Sequence, residues 1–164
     1  MPRRVDPRYC NNVIDANILD RFEDGHDEAV DAMLALYRGN MVSFQLPYSV
    51  KAEIDHPHTP TEVKERAREF IFTEPVTLTA NEHALHAEVR ELIRGNAAPG
   101  QHDQDAFHLF EAEKYGGGYF VTRDRRLLRK RAEIERLLEL IVLAPTEFMS
   151  VYQEFEADER RPRP

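Results

Sequence analysis

The sequence predicts an α/β domain of three layers, with a mostly parallel central sheet between helices. Two observations predict it. Short apolar runs rich in β-branched and aromatic residues alternate with stretches of helical periodicity. The segments between successive strand candidates are mostly long enough for crossover connections, which parallel strands require. A chain of 164 residues is large enough to bury one real core. Its 41% hydrophobic and 32% charged residues fit a globular chain rather than a disordered one.

The elements follow in order. VIDA at 13–16 predicts a short buried strand. From about 26 to 38, Ala29, Ala32, Met33, Leu36 and Tyr37 recur at helical spacing, and Gly39 stops the helix. MVSFQL at 41–46 alternates like a strand, and Pro47 opens a short helix with Val50 and Ile54 on one face. Pro57 and Pro60 break that helix. TPTE at 59–62 has the pattern of a capping box with Pro at the first helical position. The helix it opens sets Val63, Ala67, Phe70 and Ile71 on one side. PVTLT at 75–79 is the next strand expected.

Leu85, Val89, Leu92 and Ile93 mark a helix closed by Gly95, and NAAPGQH at 96–102 a loop. A helix is expected from Asp103 to about Tyr115, ended by GGG at 116–118 and followed by a strand, YFVT, at 119–122. A basic helical region over 125–138 leads to a last short strand in LIVLA at 140–144. PTEFMSVYQEF at 145–155 gives a last helix, and ADERRPRP a frayed tail. The expected organisation is an N-terminal extension over 1–10, one domain over 11–155 and a charged tail over 156–164.

Charge and composition narrow the function. A net charge of −8 argues against a protein that coats nucleic acid by bulk charge. The charge is uneven, however: RDRRLLRKR at 123–131 holds six basic residues and one acid. That stretch fits either a solvated helix face or a strip that steers a polyanion. The apolar runs are far too short to span a bilayer, so no membrane partner is expected. MPRRVDPRYC carries no apolar secretory segment, and Cys10 is the lone cysteine, so a reducing, cytoplasmic setting is expected.

In parallel α/β sheets, sites form outside the carboxyl ends of the strands. Asp15 and Asn17 follow the first strand, and Thr122 and Asp124 follow YFVT. Glu53, in PYSVKAEIDH, lies on the flank of the Val50–Ile54 stripe. Asp105, just after Asp103, opens the helix before YFVT. Each acid alone also fits a bland role: Asp15, Asp103 and Asp124 as caps, Asp105 as a first-turn acid, Glu53 as a charged helix residue. Together they occupy strand ends and helix starts around one side of one sheet. Converging carboxylates either raise one another's pKa or need a cation, and oxygen donors suit Mg²⁺ or Mn²⁺. Such a centre can activate water against a phosphodiester. The histidines of H-P-H at 56–58 and H-x-x-H at 83–86 lack a convincing ligand set and are expected to be surface or structural residues.

NVIDAN, PYSVKAEI, DQDAFHLFEAEKYGGGYFVTRDRRLL and IVLAPTEF, in this order and spacing, resemble the PIN-domain family over roughly residues 11–152. The resemblance implies a PIN-like three-layer α/β/α fold and a Mg²⁺- or Mn²⁺-dependent endoribonuclease. Asp15, Glu53, Asp105 and Asp124 would be its catalytic and metal-binding acids, with Asn17 and Thr122 supporting them and Asp103 in reserve. No His or Lys base is required. Arg123, Arg125, Arg126, Arg129 and Lys130 would steer RNA. The family includes VapC-like toxins, so an antitoxin protein and a homodimer are implied as partners. The alternative is a PIN fold that binds RNA or a protein without cutting. A haloacid-dehalogenase-like phosphatase would show D-x-D, whereas position 17 is Asn, and the acid pair and lysine of a receiver domain cannot be placed.

Overall fold

A computed structural model describes residues 4–98, 102–115 and 117–162. Five parallel strands form one sheet in the order β3-β2-β1-β4-β5. These are β1 (Asn11–Ile14), β2 (Ser43–Leu46), β3 (Ile71–Phe72), β4 (Gly117–Val121) and β5 (Ile141–Leu143). β1 lies at the centre, paired to β2 on one side and to β4 on the other. The chain therefore reverses its direction of travel across the sheet between β1 and β4, where ligand crevices open in such folds.

The helices are α1 (Asp27–Arg38), α2 (Lys51–Ile54), α3 (Thr61–Ala67), α4 (Ala80–Arg94), α5 (Asp103–Tyr115), α6 (Arg125–Arg129), α7 (Arg131–Leu137) and α8 (Pro145–Arg160). They cover both faces of the sheet, giving three layers. The period-2 alternation of strand side chains divides the core accordingly. Ile14, Phe44, Leu46, Tyr119 and Val121 face one layer, where α1, α3 and α8 contribute Met33, Val63 and Phe148. Val13, Phe120 and Val142 face the other, against Val89 of α4, Leu109 of α5 and Ile134 of α7. None of the described helices is long and apolar enough to cross a membrane.

Several local expectations are corrected. PVTLT at 75–79 forms no strand; the third strand is Ile71–Phe72, which pairs with Gln45 and Leu46 of β2. TPTE makes no capping box, because the Thr59 hydroxyl donates to the Glu53 carbonyl and Pro60 holds the cap position without a side-chain bond. A true capping box occurs at α4, where Thr79 and Glu82 satisfy each other's backbone N–H groups. The basic region over 125–138 is two helices, α6 and α7, broken at Lys130. The tail begins later than expected, since α8 runs to Arg160. Parts of the loop expected over 96–102, and Gly116 of the GGG run, lie outside the described residues. The described part of the N-terminal extension packs down: Arg4 pairs with Glu154 at 3.1 Å, Arg8 pairs with Glu159, and the Val5 N–H donates to the Tyr119 hydroxyl at 3.2 Å.

Candidate functional site

The ends of β1 and β4 are tied together by main chain and side chain. The Asp15 N–H donates to the Val121 carbonyl at 2.9 Å. The Asp15 carboxylate accepts from the Ala16 N–H at 2.8 Å through one oxygen and from the Thr122 hydroxyl at 3.0 Å through the other. Thr122 is fully buried, and its oxygen also accepts from Asn17 Nδ2 at 3.1 Å and from the Asp124 N–H at 3.0 Å. Asn17 Oδ1 accepts from the Arg123 N–H at 3.1 Å. A hydroxyl has one proton and two lone pairs, so Thr122 uses its full capacity at this junction. Asn17 and Thr122 thus hold Asp15 in place. Asp15 also caps the 3₁₀ turn over Ala16–Leu19, the plain role its place after the strand allows.

Asp15 is buried at 6% exposure, and burial pushes its carboxyl up to about 6. The charges of Asp105 and Glu53 push the same way, while His108 and the Thr122 bond oppose them. Glu53, on the short helix α2, is half-exposed and arrives from the opposite wall. Asp105, in the first turn of α5, and Asp124, at the cap of α6, complete the group. The Arg126 guanidinium joins these two, bonding Asp105 and lying 3.1 Å from Asp124. Asp103 turns aside, 3.8 Å from Arg90 of α4, and is not part of the cluster.

One residue at the centre was not anticipated. His108 lies one turn after Asp105 on α5 and is 1% exposed. Its Nε2 lies 3.3 Å from Glu53, and its Nδ1 lies 3.8 Å from Asp15 and 3.9 Å from Asp105. None of these contacts is a well-formed hydrogen bond, so both ring nitrogens are buried without a partner. Burial alone would push the imidazole down; the Glu53, Asp15 and Asp105 carboxylates outweigh it, and the net shift is upward.

Glu111, one turn further, is also buried. It accepts from the Ser49 N–H at 3.0 Å and from the Ser49 hydroxyl at 2.9 Å, fixing α5 to the turn that leads into Glu53. Burial raises its carboxyl despite these bonds. Asp105, His108 and Glu111 recur at i, i+3, i+6, a polar stripe on a largely buried helix. That spacing was the available signal; the apolar pattern of Ala106, Leu109 and Phe110 masked it. Of the histidines considered earlier, His86 packs against Phe107 and Phe110 as a structural residue, and His56 is exposed.

The basic strip is corrected in part. Arg123 is buried at 7% and points inward, 2.8 Å from Asp27 and 3.3 Å from Asp24. It cannot meet RNA at the surface. Arg126 is turned to the acids, and the Lys130 ammonium donates to the Leu92 carbonyl. Arg125 and Arg129 are exposed. Beside the acids lies a cleft of about 260 Å³, lined by Asn17, Asp20, Phe22, Glu53 and Ile54 among others. The Phe22 ring is 52% exposed there, with the Arg123 guanidinium carbon 5.3 Å from its centroid.

The donors suit a divalent cation: carboxylate oxygens with an orphaned imidazole among them. They are gathered rather than closed, and among the described residues no three His, Cys, Asp or Glu side chains already form a metal-binding group. No protein-family model matches the chain, and no curated protein matches it.

Proposed function

We propose that this protein is a metal-dependent endoribonuclease of the PIN-domain type. The observation that carries the reading is the convergence of Asp15, Glu53 and Asp105, with Asp124 linked through Arg126, at the point where the sheet reverses its strand order. A polar network serving only as a cap would not need acids from four separate segments. When bound, Mg²⁺ or Mn²⁺ supplies an activated water and offsets charge on the phosphodiester.

The chain's own residues supply the rest. Asp15, fixed by Thr122 and Asn17, is the anchor carboxylate. Glu53, Asp105 and Asp124 complete the acidic wall and orient water against it. Arg125 and Arg129, both exposed, draw the RNA backbone toward the site, which makes binding salt-dependent. Phe22 offers an exposed ring on which a base can stack beside the acids. A toxin role with an antitoxin partner and a homodimer belong to this reading through the family resemblance, and a cytoplasmic location through the lone cysteine.

A second reading is a PIN-like module that binds RNA or protein without cutting. The Arg126 bridge favours it, because a guanidinium already neutralises Asp105 and Asp124. Cleavage of a panel of structured and single-stranded RNAs separates the two, run with Mn²⁺, with Mg²⁺ and with chelator, beside Asp15→Asn. Metal-dependent cutting that vanishes in Asp15→Asn is expected. RNA binding without cutting in any metal moves the assignment to the second reading.

A further inference from the structure

We propose that His108 is a nitrogen ligand of the divalent cation in this site and makes the site prefer Mn²⁺ to Mg²⁺. The inference deepens the nuclease reading and rests on it. Acids alone do not define a cation site. The independent observation is a buried imidazole aimed into them whose two nitrogens both lack a hydrogen-bond partner. A neutral imidazole has one N–H to donate and one lone pair to give, and a protonated one has two N–H groups to donate. In neither form does the protein satisfy Nδ1, and the 3.3 Å approach of Nε2 to Glu53 is too poorly aligned to be a formed hydrogen bond.

The two nitrogens face different surroundings. Nδ1 has Asp15 at 3.8 Å and Asp105 at 3.9 Å. These spacings are long for hydrogen bonds. Two ligands each about 2.1 Å from one ion stand between about 3 and 4.2 Å apart, so the spacings suit donors around a shared cation. Nε2 has Glu53 at 3.3 Å. Metal-bound histidines usually donate their second N–H to a carboxylate, which fixes the tautomer and the ring. Nδ1 toward the ion and Nε2–H toward Glu53 is that arrangement. Glu53 then acts chiefly as the residue that orients His108.

The chemistry of the donor decides the metal. Mg²⁺ favours oxygen ligands and water, whereas imidazole nitrogen suits the divalent transition ions. A site of acids alone discriminates weakly between Mg²⁺ and Mn²⁺; an imidazole among them tilts the balance toward Mn²⁺.

The test is pulsed electron paramagnetic resonance of Mn²⁺ bound to the full chain, with calorimetric titration of Mn²⁺ and Mg²⁺. Wild-type protein, His108→Gln and Asp15→Asn are compared. A signal from directly bonded nitrogen is expected in the wild type and absent in both variants. Mn²⁺ is expected to bind more than about tenfold tighter than Mg²⁺, a preference that shrinks in His108→Gln. Mn²⁺ binding that depends on Asp15 but shows no bonded nitrogen overturns the inference and leaves the carboxylate reading standing. A nitrogen signal that survives His108→Gln comes from other imidazoles, such as exposed His56, and also overturns it. Absence of any Asp15-dependent binding removes both readings. Should His108→Gln fail to fold, His108→Asn, which also removes the imidazole, takes its place.

Discussion

The Thr122 hydroxyl donates to the Asp15 carboxylate at 3.0 Å, across 107 positions of sequence, and so joins the ends of the two central strands. The same oxygen accepts from Asn17 and from the Asp124 N–H. One buried hydroxyl therefore aligns two of the four acids.

Thr122→Val keeps the side-chain shape and removes the hydroxyl. It leaves the buried Asp15 carboxylate and the Asp124 N–H short of a partner. A loss of about 1–3 kcal/mol of stability is expected in urea denaturation. Thr122→Ser, which keeps the hydroxyl, should recover most of it. A loss in Thr122→Ser with none in Thr122→Val would mean that methyl packing, not the hydrogen bonds, is what Thr122 supplies.

Arg126→Gln removes the cation that joins Asp105 and Asp124. Without divalent ions the exposed repulsion should lower stability by about 1–2 kcal/mol. With Mn²⁺ the variant should gain more in melting temperature than the wild type, because a competing positive charge is gone and bound ligand stabilises the folded state by mass action. A Mn²⁺ shift no larger than that of the wild type would show that Arg126 does not compete with the ion.

Cys10 should be slow to alkylate at neutral pH. Burial pushes its thiol from an ordinary 9.0 up to about 11. At pH 8 the thiolate fraction is then about a hundredfold lower than for an unperturbed cysteine, and the rate should climb about tenfold per pH unit up to the shifted value. The sign for stability follows. The folded state holds the proton more tightly, so the thiol's contribution is intact below pH 9 and falls as pH rises from 9 toward 11. Iodoacetamide labelling followed by mass spectrometry reads the rate. Fast labelling at pH 7 would show that the thiol is not protected as the structure describes.

Gly118 lies against the same cysteine. A Cβ there would stand 2.5 Å from Cys10 Sγ and 3.3 Å from its Cβ. Gly118→Ala should cost about 1–3 kcal/mol through forced displacement of β4 from the chain before β1. Adding Cys10→Ala should restore part of the loss, since it removes the nearer atom. Purely additive effects in the double variant would place the strain elsewhere.

By itself the sequence determined the α/β class, the central strands and the helices that flank them, because each carries a local period. Val13 and Ile14 of β1, residues 119–121 of β4 and all of β5 are short apolar runs, and α1, α5 and α8 present apolar residues at helical spacing. Asp15, Glu53, Asp105 and Asp124 were legible as candidates because their places at strand ends and helix starts are also local. What the tertiary structure decided is partnership. Ile71–Phe72 is a strand only because β2 offers it a ladder, while PVTLT, the more β-like stretch, finds none. Arg123 turns inward because Asp24 and Asp27 wait beneath it, and Arg126 because two acids meet there. His108 sits among three acids from three segments. Its helical period matched the buried face, and nothing local says whether a buried imidazole meets apolar side chains or carboxylates; long-range packing settles that.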